Sequence, residues 1–348
     1  SLSGSGSIVA KGGNGGRLSG TDYAGAGGGG GRIAIYYNSS SFNGSYDTSG
    51  GLGSSSTDTQ YAQNGSAGTI YIKDNSSDYD KLIISNPAID HYDSNLTTLF
   101  NGEYSFNEIV LTQKGGLEIT DGVDITVTDS FNPTGDFYLK HRSAGSLSYP
   151  TPFDLTTTGN VIIEDSNNNL SFNNLIIDSG TTTLNGNLTF ENISINNTAT
   201  LTHLPNTNQK VNYINLTVNQ DFYLASTAKV DLNGKGYTGE TGPTPGLYPG
   251  SGGGHGGKGG SKSTGSGGSI SGDLYNPQEL GSGGSDGDGG YIGGIGGGAI
   301  SLSVSGTTSI NGILSSDGSA AQTSKGTYAS GGGGAGGSIH ITTNSLSG

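Results

Sequence analysis

Three aspartates within one short segment are the residues best suited to metal chemistry. The stretch KDNSSDYD places Asp74, Asp78 and Asp80 close together in the sequence. Closely spaced carboxylate oxygens are the hard ligands that Ca²⁺ prefers. These aspartates are therefore candidate calcium ligands. Solvated turns, in which carboxylates bond to nearby backbone, are the alternative reading of the same pattern.

A second acidic pair lies in the stretch GGSDGDGG, which contains Asp286 and Asp288. It resembles the RTX calcium-binding nonapeptide, whose repeats bind the ion between successive turns. Asp286 stands where that pattern has glycine, and no tandem copy follows. A solvated turn is again the alternative. Calcium is the only cofactor that the sequence suggests.

The histidines and carboxylates do not form a catalytic pattern. The 28 Asp and Glu residues fall mostly in turn-like stretches, and there is no Cys to act as a nucleophile. Glycoside cleavage needs two carboxylates on one face, and acyl transfer needs a paired nucleophile and base. The sequence therefore predicts that the protein is not an enzyme, with a carbohydrate-active β-helix as the alternative. The five histidines, none of them at triad or metal-ligand spacing, are His91, His141, His203, His255 and His340.

Charge and composition exclude several classes of partner. The net charge is −14, and the 14 Lys and Arg residues are scattered along the chain. Nucleic-acid binding needs clustered cations, so it is not expected. The sequence has no apolar run long enough to suggest a membrane span. An acidic surface rich in Ser, Thr and Gly, without Cys, favours an extracellular or cell-surface location.

The flanks of the chain carry an internal repeat. Of the 67 glycines, only 9 lie in residues 69–233. Each repeat copy has a tyrosine, then small residues, then an isoleucine that opens a strand-like alternation of apolar and polar residues. The interval from tyrosine to isoleucine differs by at most two positions among the four copies. We predict that these residues form a structural ladder: Tyr291 with Ile300, Tyr328 with Ile339, Tyr23 with Ile33, and Tyr61 with Ile70.

The repeat continues across the two ends of the sequence. The offset from Ile300 to Ile339 exceeds the offset from Ile33 to Ile70 by only two positions. Overlaying the final SLSG on the initial SLSG gives Ile339 and Ile33 an offset between these two values. Ile83 also follows Ile70 by the same interval by which Ile313 follows Ile300. We expect one unit of a tandem array whose copies meet head to tail. The alternative is a monomer whose two ends carry similar coils.

Short strands, Asn-Gly corners and the absence of helical periodicity predict an all-β fold. The fold expected is a right-handed parallel β-solenoid in which glycine blocks form extended, mutually hydrogen-bonded polyglycine layers. Antiparallel hairpins in a β-sandwich would explain the Asn-Gly corners as well. Flexible glycine linkers would explain the composition but not the regular spacing.

Glycine content divides the chain into four segments. Residues 1–72 are predicted to be glycine-rich coils that continue the C-terminal block. Residues 73–233 form a glycine-poor β-helix section, and residues 234–298 form a long glycine-rich insertion loop. Residues 299–348 are glycine-rich coils that run into the next repeat.

The segments GGGGAGGSIHITTNSLSG and GGGGGRIAIYY resemble the glycine-rich β-helix repeats of very large bacterial surface and adhesin-like proteins. The resemblance covers about half of the chain and implies an exported structural or adhesive role. It carries over no catalytic residue. We therefore expect a structural tandem-repeat unit of a filament or cell-surface protein. The alternative is an adhesin or receptor-binding tip module that recognises surface glycans.

Overall fold

A computed structural model describes residues 1–16, 24–54, 62–88, 95–142, 144–165, 170, 172–262, 265–323 and 328–348. All helices and strands assigned in these residues are β-strands. Contacts divide the chain into two compact units, Ser1–Leu170 and Ser171–Gly348.

The first unit contains fifteen described strands, most of them short. They are β1 (Leu2–Gly4), β2 (Ser7–Val9), β3 (Arg32–Tyr37), β4 (Ser40–Phe42), β5 (Ser45–Asp47), β6 (Thr69–Asp74), β7 (Tyr79–Ser85), β8 (Thr97–Thr98), β9 (Gly102–Thr112), β10 (Gly115–Ile119), β11 (Val123–Thr134), β12 (Phe137–His141), β13 (Ser146–Ser148), β14 (Leu155–Thr157) and β15 (Val161–Asp165).

The second unit contains ten described strands. They are β16 (Asn174–Ile177), β17 (Thr181–Phe190), β18 (Asn192–Ile195), β19 (Thr200–Thr202), β20 (Ile214–Val218), β21 (Phe222–Leu224), β22 (Lys229–Asp231), β23 (Ala299–Ile310), β24 (Ile313–Ser315) and β25 (Ser338–Ser347).

Parallel pairing dominates both units. In the first unit, β8, β10, β12 and β15 lie side by side, and a second sheet has the order β13-β11-β9-β7-β6-β3. Two further sheets of this unit have two strands each, β1-β4 and β2-β5. In the second unit, the order is β16-β18-β21-β23-β20-β17; β19 pairs with β17 and β22, β22 with β24, and β25 with β23.

Period-two alternation explains why these segments form strands. In β11, Val123, Ile125 and Val127 are buried while the residues between them are exposed. β20 repeats the pattern with Ile214 and Leu216. Successive side chains of a strand point to opposite faces, so this alternation puts an apolar row on one face. Parallel partners in register align the rows of neighbouring strands into a continuous core.

The glycine-rich segments are held by backbone hydrogen bonds without being strands. Gly252 N–H donates to Gly260 O at 2.9 Å, Gly253 N–H to Gly333 O at 3.0 Å, and Gly254 N–H to Thr244 O at 2.9 Å. Three successive residues thus bond to three different neighbouring segments. In an extended backbone with three residues per turn, successive N–H groups point in three different directions. The segments therefore form a bonded layer rather than a flat sheet.

Residues 234–298 take part in this layer. Gly236 N–H donates to Gly296 O at 2.7 Å, and Gly284 N–H donates to Gly294 O at 2.9 Å. The same region reaches the C-terminal block, because Gly253 N–H donates to Gly333 O at 3.0 Å. This long segment contributes internal rungs of the second unit.

The prediction of a right-handed parallel β-solenoid is wrong. The described strands form distinct, mostly parallel sheets, and no closed coil is found among them. The expected extended polyglycine strands are also missing from the described glycine blocks, whose residues take no strand assignment. Glycine has little preference for a strand, and without side chains the backbones approach closely enough to bond in several directions.

An antiparallel pair is a second departure from the solenoid. Ile70 of β6 faces Ile83 of β7 in an antiparallel hairpin, so this pair is not equivalent to Ile300 and Ile313 despite the equal interval. The turn is set locally, because Asp78 has a positive φ of 54° and bonds Lys73 Nζ at 2.7 Å. This ion pair across the turn favours reversal of the chain direction.

The glycine layer predicts that a single methyl group is destabilising at specific positions. A Cβ on Gly297 would lie 2.1 Å from Ser316 O and 2.5 Å from Gly337 N. Gly297→Ala must push two backbone segments apart, so we expect it to lower the free energy of unfolding by about 1–3 kcal/mol. Denaturant unfolding measures the change.

Gly333→Ala is the matched control in the same layer. A Cβ there meets only Ser319 O, at 3.9 Å, so its stability should stay within about 1 kcal/mol of the parent. Equal effects of the two substitutions would contradict close backbone packing as the reason for the glycines.

Candidate functional site: the open strand edges

The four predicted ladder isoleucines face one another on parallel strands, as one pair in each unit. In the second unit, Ile214 of β20 faces Ile300 of β23, and Ile300 faces Ile339 of β25. In the first unit, Ile33 of β3 faces Ile70 of β6. The structure therefore places Ile300 with Ile339 and Ile33 with Ile70, as the repeat spacing of the sequence predicts.

The predicted ladder tyrosines are placed less uniformly. Tyr291 is half-buried, and the Tyr328 side chain is 61% exposed. Tyr328 lies against the backbone of Gly289, where an added Cβ would meet its ring at 3.4 Å. Tyr23 and Tyr61 lie outside the described residues. Stacking of these tyrosines along a ladder stays a prediction.

Two strands that carry ladder residues have an open edge. Among the described strands, β25 pairs only with β23, and β3 pairs only with β6. An open edge presents backbone N–H and C=O groups that can pair with another strand. The second edges of β25 and β3 are therefore not paired with any other described strand.

Side-chain exposure rises at the open edge of β25. The Ile214 and Ile300 side chains are 1% and 0% exposed, but Ile339, the next rung, is 39% exposed. Leu346, at the other end of β25, is 65% exposed. The apolar row is therefore buried on the inner strands β20 and β23 but partly exposed to solvent on the edge strand β25.

The calcium candidates Asp74, Asp78 and Asp80 have separate partners. Asp74 Oδ1 accepts hydrogen bonds from Ser76 N–H at 2.9 Å and from the Ser76 hydroxyl at 2.6 Å. Asp78 pairs with Lys73, and Asp80 Oδ2 accepts the Tyr71 hydroxyl at 2.8 Å. Within the described ranges, no three Asp, Glu, Cys or His side chains are placed to hold a metal ion.

Local partners lower the pKa of two of these carboxylates, those of Asp74 and Asp78. Hydrogen bonds from Ser76 lower the pKa of Asp74, and the bonded ammonium of Lys73 lowers the pKa of Asp78. Each carboxylate is therefore engaged by local donors in the turn. This geometry is that of a hydrogen-bonded hairpin.

Asp286 and Asp288 also bond to different groups. Asp286 Oδ1 accepts Gly293 N–H at 2.7 Å, and Asp288 Oδ1 accepts the Tyr248 hydroxyl at 2.6 Å. Both carboxylates fasten neighbouring segments of the glycine layer.

His141 is buried as one half of an ion pair in the first unit. Its Nδ1 donates to Asp165 Oδ1 at 3.2 Å, and its Nε2 donates to Gly145 O at 2.8 Å. Two acceptors favour the imidazolium, and the bonded Asp165 carboxylate raises the pKa of His141. Asp165 Oδ2 also accepts Leu170 N–H at 2.7 Å, so this pair is hydrogen-bonded to the backbone at Leu170.

His203 is buried in the neutral form in the second unit. Its Nδ1 donates to Leu204 O at 2.7 Å, and its Nε2 accepts Ala299 N–H at 3.1 Å. Since one nitrogen donates and the other accepts, the ring is satisfied without a charge. Burial lowers the pKa of His203 to about 4.

His255 contacts Ser338 in an arrangement that merits comparison with a catalytic pair. His255 Nε2 donates to Ser338 Oγ at 3.0 Å, and Ser338 Oγ donates to Glu279 O at 2.6 Å. The serine proton is directed at a carbonyl and not at the histidine, so the pair anchors the start of β25. His340 lies on β25 opposite Ser301, and His91 lies outside the described residues.

Comparison with protein-family models, with curated proteins and with solved structures finds no match to this chain. No helix in the described ranges is long and apolar enough to cross a membrane.

The exposure difference along the ladder predicts unequal effects of one substitution. Ile33 is 8% exposed and Ile339 is 39% exposed. Ile33→Asp buries an unpaired carboxylate and should lower the free energy of unfolding by about 3 kcal/mol or more, whereas Ile339→Asp should cost about 1 kcal/mol. Unfolding by denaturant in dilute solution compares the two. A larger loss for Ile339→Asp would contradict the partial exposure of Ile339 on β25.

The neutral, buried His203 predicts stability that falls on acidification. The unfolded chain binds a proton near pH 6.5, but the folded chain resists it down to about pH 4. Stability therefore rises with pH across this window, by about 2–3 kcal/mol from pH 4.5 to 7.5 for this residue alone. His203→Gln should reduce the measured difference in unfolding free energy between these two pH values by that amount. An unchanged difference would mean that His203 titrates normally in the folded protein.

Proposed function

We propose that this chain is a structural repeat of an extracellular or cell-surface protein. Successive copies of the chain join through the open edge of β25 in one copy and the open edge of β3 in the next. The function is mechanical, because each joint extends a parallel sheet from one unit into the next. The observation that carries the proposal is the pair of edge strands with the same Ile-x-Ile pattern. These are Ser338-Ile339-His340-Ile341 in β25 and Arg32-Ile33-Ala34-Ile35 in β3.

The existing registers determine how the joint would form. Ile339 already faces Ile300 on one side, and Ile33 already faces Ile70 on one side. Pairing the free edges in parallel puts Ile339 opposite Ile33 and Ile341 opposite Ile35. The apolar row of one sheet then continues in the other, and the exposed part of Ile339 is covered.

The shared tetrapeptide SLSG supports the same register. Leu346, in its second occurrence, faces Thr308 of the preceding repeat. Leu2, in its first occurrence, faces Ser40 of the following repeat. The offset along the chain is the same for both pairs, and both lie in parallel strands, as expected for equivalent positions of one repeat. The resemblance to glycine-rich surface-protein repeats and the Cys-free, acidic composition support the extracellular location.

A cross-linking experiment tests the joint. The chain has no cysteine, so Tyr36→Cys in one preparation and Thr342→Cys in another give single thiols at facing positions of the proposed joint. Facing residues of neighbouring strands are about 4.8 Å apart, within the Cα separation that a disulfide spans. Mild oxidation of the mixture should give mainly the mixed disulfide dimer, quantified by mass spectrometry.

Leu274→Cys is the control for Tyr36→Cys, because Leu274 is 84% exposed and Tyr36 is 64% exposed. Thr342→Cys should form several-fold less dimer with Leu274→Cys than with Tyr36→Cys. Adding Ile339→Asp to the Thr342→Cys chain should suppress the specific dimer. Equal yields with the two partners would overturn the proposed joint.

A further inference from the structure

The second unit also contains a groove that the proposed structural role does not use. It lies at the start of β20 and β23 and beside β17, where a cavity of about 300 Å³ is lined by the side chains of polar residues and by buried Ile214 and Ile300. This volume is at the lower end of ligand pockets, and matches a ligand of one or two small rings. We propose that this groove binds a neutral sugar unit of a glycan.

The first argument is the row of hydrogen-bonding groups along the groove. Asn187 of β17 faces Asn215 of β20, and Asn215 faces Ser301 of β23. All three line the cavity. Adjacent strands are about 4.8 Å apart, so two amides and a hydroxyl follow one another at regular intervals. Such a row can bond several hydroxyl groups of one ring.

The second argument is the hydrogen-bonding capacity that these groups retain. Asn215 Nδ2 donates to Asn187 Oδ1 at 2.7 Å. This bond orients both amides and leaves the Asn187 amino group as a donor and Asn215 Oδ1 as an acceptor. Gln278 Nε2 donates to Asn276 Oδ1 at 2.9 Å, which leaves Gln278 Oε1 as a further acceptor at the cavity. Sugar hydroxyls both donate and accept, so they can satisfy all three.

The third argument is the charge of the groove. Lys210 Nζ lies 5.3 Å from the centre of the Tyr213 ring and 3.4 Å from Glu279 Oε1. The carboxylate offsets the ammonium, so this end of the groove carries no net charge. A phosphate or another anion would have to compete with Glu279 for Lys210. The arrangement therefore favours a neutral ligand.

Tyr213 supplies an amphipathic wall. It packs against the buried cluster of Tyr237, Leu280 and Ala299, and its backbone N–H donates to Asn185 Oδ1 at 3.0 Å. The ring is thus fixed before a ligand arrives, which limits the entropy lost on binding. An ordered aromatic side chain beside oriented amides matches the apolar faces and polar edges of a pyranose.

Binding to defined sugars tests the inference. The probes are the methyl glycosides of neutral hexoses and N-acetylhexosamines, followed by saturation-transfer NMR and calorimetry on the full chain. We expect at least one to bind, and we expect Asn187→Ala and Asn215→Ala each to weaken it by tenfold or more. Asn219→Ala is the control, because Asn219 is exposed just after the same strand but bonds Glu191 Oε1 at 2.8 Å outside the groove.

Thermal unfolding of each variant shows whether it remains folded. No binding of any neutral glycoside by the folded parent chain overturns the inference, as does binding that both groove substitutions leave unchanged. A preference for acidic sugars that Lys210→Ala abolishes overturns the assignment of a neutral ligand. Cross-linking at the strand edges is independent of these outcomes, because the groove lies within one chain.

Discussion

Hydrogen bonds between glycine backbones are the interaction on which the second unit depends. Gly252, Gly253 and Gly254 each donate to a different neighbouring segment, which requires the backbones to approach one another closely. At many positions an added Cβ would fall too close to a carbonyl oxygen of the next segment. Ordering so much glycine costs conformational entropy. Dense backbone bonding, which leaves few polar groups unsatisfied, offsets that cost.

The sheets and the glycine layer are stabilised by different interactions. The strands bury rows of Ile, Leu, Val and Phe, and several phenylalanines such as Phe137, Phe190 and Phe222 are almost completely inaccessible to solvent. The layer has few such side chains and instead uses Ser, Asn and His to connect its segments. His203 is one such connection, because it links the end of β19 to the start of β23 through Ala299.

The sequence was sufficient to predict which isoleucines face each other but not how the chain travels between them. The pairing of Ile300 with Ile339 follows from repeat spacing, because residues at equal positions of neighbouring repeats meet in a parallel ladder. The chain reversal at Asp78 was missed. Ile70 and Ile83 are separated by the same interval as Ile300 and Ile313, so the spacing indicated equivalent positions, but only the first two residues face each other in a hairpin.

Two further features needed the fold itself. The conformation of the glycine blocks was missed because glycine has no side chain to reveal an alternation. The groove did leave a signal, since Asn-Leu-Thr occurs at Asn187 and again at Asn215, but its facing register became visible only in the fold.

The bonded glycine layer also separates order from spectroscopic secondary structure. Its residues have neither helical nor strand assignments, so far-ultraviolet circular dichroism would count them as coil. Yet amides such as those of Gly284, Gly294 and Gly297 are each engaged by a carbonyl of another segment. Their hydrogens would exchange slowly with deuterated solvent, because exchange requires the segments to separate. A spectrum that resembles a disordered chain can therefore belong to a rigid one.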